Sequence, residues 1–323
     1  MKRRHLLAWG GAALVAGPAV LAQGKFPQRP ITLVVPTAPG GSTDFTARLV
    51  SDQLSRALGQ PVIVDNKPGA SGNIGNQLVA RAKPDGYTLL VSYSGYHVGN
   101  PHLFKQAGWD PIKDFAPVAM MTRAPQVIAV SPKLPANNLR ELIAYAKANP
   151  GKLNYASSGN GSIQHIAGEL FKQLTGTFIT HIPYRGSGPA VQDLMGGQVD
   201  IFITTPAGVV SQIQGGRLKG LAVTSKQRLS SLPSVPTAAE SGLKGYELDS
   251  WFALYAPAGT PADILQQLNA EVNKILLSPE ARKKAEDAGT AVEAMTPAQL
   301  ADFTKTELAH WGQVIKGAKI TLE

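Results

Sequence analysis

Short apolar runs bounded by proline or glycine alternate along most of the chain with stretches whose apolar residues recur every three or four positions. The first run, Ile31–Val35, lies between Pro30 and Pro36 and reads as a strand buried on both faces. Phe45, Leu49, Leu54 and Leu58 then mark one helix face, and Gly59 is placed to end that helix. The same pattern predicts strands at 62–64, 88–91 and 115–121 with a helix at 73–83. A second series follows, with strands at 127–130, 154–157, 178–182, 199–203 and 220–224 and helices at 139–148, 162–174, 189–195 and 207–214. Strands alternating with helices imply right-handed crossovers and mostly parallel sheets, hence the α/β class.

After a returning strand at 251–255, Ile264, Leu265, Leu268, Val272, Ile275 and Leu276 form one stripe, and helices are expected at 279–288 and 297–316. A helical tail needs a sheet to pack on, and the first series is its expected host. The expectation is therefore two lobes, one built from 23–124 and 250–323 and the other from 125–249. Two crossing segments, near 122–127 and 246–251, would serve as the hinge. A length of 323 residues suits two such units, each large enough to close its own core.

Residues 1–22 are expected to be an export signal rather than fold. Lys2, Arg3 and Arg4 precede an apolar stretch broken by Gly10, Gly11, Gly17 and Pro18, and Val20-Leu21-Ala22 suits cleavage after Ala22. The Arg3-Arg4 pair also fits a twin-arginine signal. Removing this segment takes away three positive charges and no negative ones, so the formal net charge falls from +9 to +6. The remaining lysines and arginines are scattered without interleaved aromatics, which argues against a nucleic-acid partner. The chain has no cysteine, which excludes disulfides, thiolate metal sites, a cysteine nucleophile and a lipidated N-terminal cysteine.

No nucleophile elbow, zinc-protease helix, phosphate loop or dinucleotide fingerprint is present, and no enzyme activity, metal or cofactor is expected. His165 and Glu169 stand one helical turn apart, a spacing open to a metal or to a structural pair; a third ligand at useful spacing is missing. Asp85, Asp193 and Asp200 occupy turn or cap positions. The positive signal is a set of polar, glycine-rich junctions, each at the carboxyl end of an expected strand, where open α/β sheets bind ligands. The first, Ala38-Pro39-Gly40-Gly41-Ser42-Thr43-Asp44, reads either as an anion cradle of backbone amides or as a tight turn. A carboxylate at Asp44 would repel an anion, so it caps the helix, ties down the loop amides or faces a cationic group. The others are Ser92 to His97, including Ser94 and Tyr96; Ser157 to Ser162, with Ser158, Asn160 and Gly161, leading to His165; and Thr204-Thr205. In a further turn at 184–188, Arg185 reads as a carboxylate clamp or as half of a surface ion pair.

These residues resemble a known family. Ile31-Thr-Leu-Val-Val-Pro36 leading into Pro39-Gly-Gly-Ser-Thr-Asp44, Gly69-Ala-Ser-Gly-Asn-Ile-Gly75, Lys83-Pro-Asp-Gly-Tyr-Thr88 and Lys113-Asp-Phe-Ala-Pro117 are similar to motifs of the tripartite tricarboxylate transporter substrate-binding proteins, the Bug or TctC family. Gly151-Lys-Leu-Asn-Tyr-Ala-Ser157, His165-Ile-Ala-Gly-Glu-Leu-Phe171, Pro183-Tyr-Arg-Gly186, Gly196-Gly-Gln-Val-Asp200, Leu221-Ala-Val-Thr224, Pro236-Thr-Ala-Ala-Glu240 and Ala256-Pro-Ala-Gly-Thr-Pro261 continue the match in order. The resemblance implies a type II-like periplasmic binding protein fold that closes over a small carboxylate. It implies that the loop at Ala38, Gly40 and Gly41 binds a ligand carboxylate through amides and ordered waters, with 157–162 and 204–205 contributing from the second lobe. It further implies a protein that serves the large and small membrane subunits of a transporter, expected as a monomer; a signalling receptor is the alternative partner, and a hydrolytic enzyme the remote one. With no cysteine to lipidate, the exported protein is expected free in the periplasm.

One departure bears on the ligand. Relatives often carry Asp-Asn where this chain has Thr204-Thr205. Exchanging an acid for hydroxyls removes a repulsion and adds donors, which points to a dianionic ligand. Tyr96 and His97 hint at an aromatic ring in it, such as a phthalate isomer.

Overall fold

The computed structural model describes residues 26–317; the expected signal at 1–22 lies outside the described residues. The strands are β1 Ile31–Val35, β2 Val62–Asn66, β3 Thr88–Tyr93, β4 Phe115–Pro125, β5 Val127–Val130, β6 Asn154–Ser157, β7 Thr180–Pro183, β8 Ile201–Thr204, β9 Lys219–Val223, β10 Asp249–Pro257 and β11 Ala291–Val292. The helices are α1 Ser42–Leu58, α2 Asn73–Ala80, α3 Asn100–Leu103, α4 Leu139–Ala148, α5 Ile163–Thr175, α6 Ser187–Gly196, α7 Val210–Gln214, α8 Ala262–Leu276, α9 Pro279–Asp287 and α10 Pro297–Gly317. One sheet has the order β11-β4-β10-β3-β1-β2 and the other β7-β6-β8-β5-β9. We refer to them, with their helices, as lobe one and lobe two.

The alternating pattern correctly implies parallel pairing of β1 with β2 and β3, and of β6 with β7 and β8. Both sheets are nevertheless mixed rather than mostly parallel. β10 runs antiparallel to β3 and β4, and β5 antiparallel to β8 and β9. The reason is the crossing itself. A strand that leaves one sheet at the interlobe edge enters the other from that same edge, so it runs against neighbours that end there. Only Gln126 separates β4 from β5, too short a link for a helix to turn the chain round. β4 also continues four residues beyond the predicted strand end at 121.

The crossing point is hydrogen-bonded rather than loose. The Gln126 N–H donates to the Thr224 hydroxyl at 2.8 Å, the Thr224 N–H to the Gln126 carbonyl at 2.9 Å, and the Gln126 amide to the Ser250 hydroxyl at 2.9 Å. Packing follows from the periodicities. Ala47, Val50 and Leu54 of α1 and Leu268, Val272 and Leu276 of α8 are buried together with Leu33, Val35 and Leu254 of the first sheet. Full burial of a leucine such as Leu54 stabilises by about 1.5–3 kcal/mol. The tail therefore docks on lobe one, fastened also by the Trp251 indole N–H donating to Glu307 at 2.8 Å. Among the described residues no helix is long and apolar enough to cross a membrane.

Candidate ligand-binding site

Strands β1, β3, β6 and β8 all end at the seam between the lobes, so the loops that follow them meet there. Three helices begin on this seam: α1 in lobe one, and α5 and α6 in lobe two. Their N–H groups and dipoles converge on one place, which is the physical basis of an anion site. α1 and α6 start at Gly41 and Gly186 with no side-chain cap, so first-turn amides are left for another acceptor. α5 is capped by the Ser162 hydroxyl, which accepts from the His165 N–H.

Around this point an enclosed space is lined by Thr37, Gly41, Ser42, Thr43, Tyr93, Ser158, Gln164, Ser187, Thr205 and Phe252. None of the ten is charged. The lobes are closed: about 10 Å³ remains for the centre of a water molecule, the size one water needs. The Ser42 and Thr205 hydroxyls meet directly across the seam. The Tyr93 hydroxyl takes the Ile163 N–H at 2.8 Å and donates to Gln164 Oε1 at 2.8 Å. The Tyr96 hydroxyl donates to the Ser158 carbonyl, and the Ala38 N–H to the Arg185 carbonyl at 3.3 Å. At Gly188 the approach is so close that a Cβ would stand 2.2 Å from the Pro39 carbonyl oxygen, so only glycine fits.

In the loop after β1, Gly40 has φ +83°, which strains any other residue. Its N–H donates to Asp44 Oδ2 at 3.1 Å. The Asp44 carboxylate also accepts from Arg48 at 3.0 Å and from the Asn66 amide at 3.1 Å. Burial pushes this carboxyl up, but the hydrogen bonds from Arg48, the Gly40 amide and Asn66 outweigh it and hold it below the usual carboxylate value. Of the readings open from sequence, Asp44 therefore acts as the tie for the loop amides. Pro39 and Gly40 are exposed at the rim, while Gly41, Ser42 and Thr43 are buried.

In lobe two, Ser158, Asn160, Tyr184 and Arg185 face Gly69 to Gly72 and Tyr96 across a second, outer cavity, which shares Ser158 with the inner one. Arg185 is exposed at this mouth and is in no ion pair among the described residues. Gly161 and His165 brace the start of α5, the Gly161 N–H donating to His165 Nδ1 at 3.2 Å. The His165 ring stacks on His181 with centroids 4.1 Å apart. Thr204 stands 3.5 Å from the Gln164 amide nitrogen. Glu169 accepts from Tyr155 at 2.7 Å and pairs with Lys172 at 2.9 Å, and no group of three potential ligands able to hold a metal exists among the described residues.

Three expectations are corrected. Ser92 and Ser94 line neither the inner nor the outer cavity, and the Ser94 hydroxyl accepts from the Trp251 backbone N–H at 3.2 Å. His97 is not poised for a ligand ring either. A π-helical turn at Gly95–Gly99 folds it into the core of lobe one, stacked on Tyr255 at 4.2 Å and flanked by Trp109 and Phe115. Burial there pushes its imidazole down to about 3, so it is neutral. Conversely, Gln164 and Phe252 line the inner space from outside every expected junction, and Tyr93 and Ser187 line it from within the junctions at 92–97 and 184–188. Tyr93 and Phe252 look like strand core, and Gln164 like an ordinary helix residue, until the lobes are brought together.

The model of the family described as "Tripartite tricarboxylate transporter family receptor" matches residues 46–320. The protein BugT of Bordetella pertussis is 40% identical over 298 residues, covering 91% of each chain. Among solved structures, Rpa4515 of R. palustris with adipate superposes with a TM-score of 0.89 at 38% identity, over 92% of this chain and 99% of that one. MatC of Rhodopseudomonas palustris with bound malate gives a TM-score of 0.85 at 36% identity, over 90% of this chain and 100% of that one. On sequence and fold together, the chain belongs to the tripartite tricarboxylate transporter receptor family.

Proposed function

We propose that this chain is a periplasmic solute-binding protein that captures a small dicarboxylate between its lobes and delivers it to the membrane subunits of a tripartite transporter. The observation that carries the reading is the make-up of the enclosed space. It offers amides at the two uncapped helix starts, α1 and α6, and a ring of hydroxyls, with neither an acid to repel a carboxylate nor a cation to bind indiscriminately. Solved relatives with adipate and with malate support a ligand with two carboxylates. Thr204 and Thr205 add donors on the lobe-two side, as a second anionic end requires. With His97 in the core, the case for an aromatic acid rests only on the Tyr93–Phe252 pair, whose rings stack 5.6 Å apart beside the space.

In this reading the units 23–124 with 250–323 and 125–249 part about the crossing segments near 122–127 and 246–251, admit the ligand, and close with it spanning the contacts between Ser42, Thr205, Tyr93 and Gln164. Ligand contacts made to both lobes at once favour the closed form, since only differential affinity shifts such an equilibrium. Calorimetric titration with malate, adipate, terephthalate and their monocarboxylate counterparts tests it. The expected result is saturable binding of a dicarboxylate, at least tenfold tighter than its monoacid. At 100 times Kd such a ligand adds about 2.7 kcal/mol of stability in a thermal melt. Binding of no dicarboxylate, or equal affinity for benzoate and terephthalate, would overturn it.

A further inference from the structure

Gln164 is 3% exposed, sits in the first turn of α5 and lines the inner space, yet no glycine-rich motif contains it. Its orientation follows from proton counting. The Tyr93 hydroxyl accepts from the Ile163 N–H at 2.8 Å, so its single proton points to Gln164, 2.8 Å away. The Ser158 hydroxyl donates to the same Gln164 atom at 2.9 Å. That atom must be the carbonyl oxygen, because an NH₂ group accepts nothing. The Nε2 group is thereby fixed on the opposite side, where the nearest acceptors, the Ser187 and Thr204 hydroxyls, stand at 3.5 Å, the long limit of a hydrogen bond. A buried amide with its oxygen doubly used and both N–H groups poorly used can only be completed by an acceptor.

We propose that Gln164 is the residue that distinguishes dicarboxylates from monocarboxylates, donating both Nε2 protons toward the second carboxylate while Tyr93 and Ser158 lock its oxygen away. The inference rests on the functional reading above and sharpens it. The first carboxylate belongs to the amides at the start of α1, in lobe one. The second belongs to Gln164, with Ser187 and Thr204 turning their hydroxyls to it. Because Tyr93 comes from lobe one and Gln164 from lobe two, the lock forms only when the lobes are together. The amide is therefore correctly aimed in the closed state and free to turn over in the open one. Selectivity for the second carboxylate and closure become one event.

The test compares adipate with hexanoate, which share a six-carbon chain, on the wild type and on Gln164→Glu and Gln164→Met. Glutamate keeps the shape and the two bonds to its first oxygen, but replaces the donor by an anion. Adipate affinity should fall by about 100-fold in Gln164→Glu and about 10-fold in Gln164→Met, which removes the donor without adding charge. Hexanoate affinity should change by less than threefold in both. The ratio of adipate to hexanoate affinity thus collapses, an effect that general damage to the fold would not produce. Retention of the wild-type ratio in Gln164→Met, or equal losses for both acids, overturns the role of Gln164 while leaving the functional reading standing. Failure of the wild type to bind any dicarboxylate overturns that reading instead, and is seen before any variant is made.

Discussion

The two halves of the cleft present the same device, a helix start at a strand end, and secure it in different ways. In lobe one the loop before α1 is braced from within: Asp44 collects the Gly40 amide, Arg48 and Asn66, all from its own lobe. In lobe two the start of α5 is braced from within by the Ser162 cap and by His165, and is held in addition from outside, by Tyr93 bonded to Ile163 and Gln164 and by Tyr96 bonded to the Ser158 carbonyl, both from the opposite lobe. The first half is therefore preorganised whether the lobes are open or closed, and the second is completed by closure. A ligand that docks first on lobe one meets a finished site and finishes the other by drawing the lobes together, which places the cost of ordering at the step where selectivity is decided.

The largest effect is expected from unbracing lobe one. Asp44→Ala removes the acceptor that ties the Gly40 amide, Arg48 and the Asn66 amide together at the partly exposed loop, and is expected to cost about 1 kcal/mol of stability. It should abolish binding of mono- and dicarboxylates alike, read by calorimetry and melting together. Binding of either class at wild-type affinity would show that the loop does not depend on its tie. A smaller effect is expected from the other side. Tyr93→Phe removes one hydroxyl that serves two lobe-two groups, and should weaken dicarboxylate binding by about tenfold with a change in melting temperature of a few degrees at most. If monocarboxylate binding falls equally, Tyr93 is not specific to the second half.

The last effect separates the halves by pH. Asp44, held below its ordinary value, contributes stability above about pH 4 that is lost only as pH falls through its depressed pKa. In lobe two, burial pushes His181 down to about 3, helped by His165 and Lys172, and burial also lowers His165 against the pull of Glu169. Folding keeps these imidazoles neutral while the unfolded chain takes up protons near pH 6.5, so stability falls as pH drops from 6.5 toward 3. His97, buried in lobe one, adds to the same slope. His181→Phe keeps the stack on His165 and Tyr155 without the titration. Its melting temperature should decline less than that of the wild type between pH 7 and pH 5, by the equivalent of about 2 kcal/mol. An unchanged slope would remove His181 from this balance.

Most elements were legible because buried strands and amphipathic helices carry their periodicity locally, as at Ile31–Val35, Leu139–Ala148 and Asn154–Ser157. Strand direction was not, since apolar runs such as Val127–Val130 read the same either way; the single-residue crossing at Gln126 decides it. The glycine-rich half of the site was legible because backbone approach and positive φ demand glycine, as at Gly188 and Gly40. Tyr93 and Gln164 were not, because their significance arises from a contact across 71 residues of chain. His97 was misread because a π-helical turn, which leaves no clear mark in sequence, turns it inward.

The claim that a ligand must separate and then span the two lobes is tested most directly by a lock. Ser42 and Thr205 meet across the seam, and the chain has no cysteine of its own, so the double variant Ser42→Cys with Thr205→Cys gives a single defined thiol pair. Its affinity for adipate and malate is measured oxidised and again after reduction. A ligand held between the lobes predicts that the oxidised protein loses binding by at least about 100-fold and that reduction restores it. Equal affinity in the two forms would place the ligand elsewhere and contradict the interlobe site.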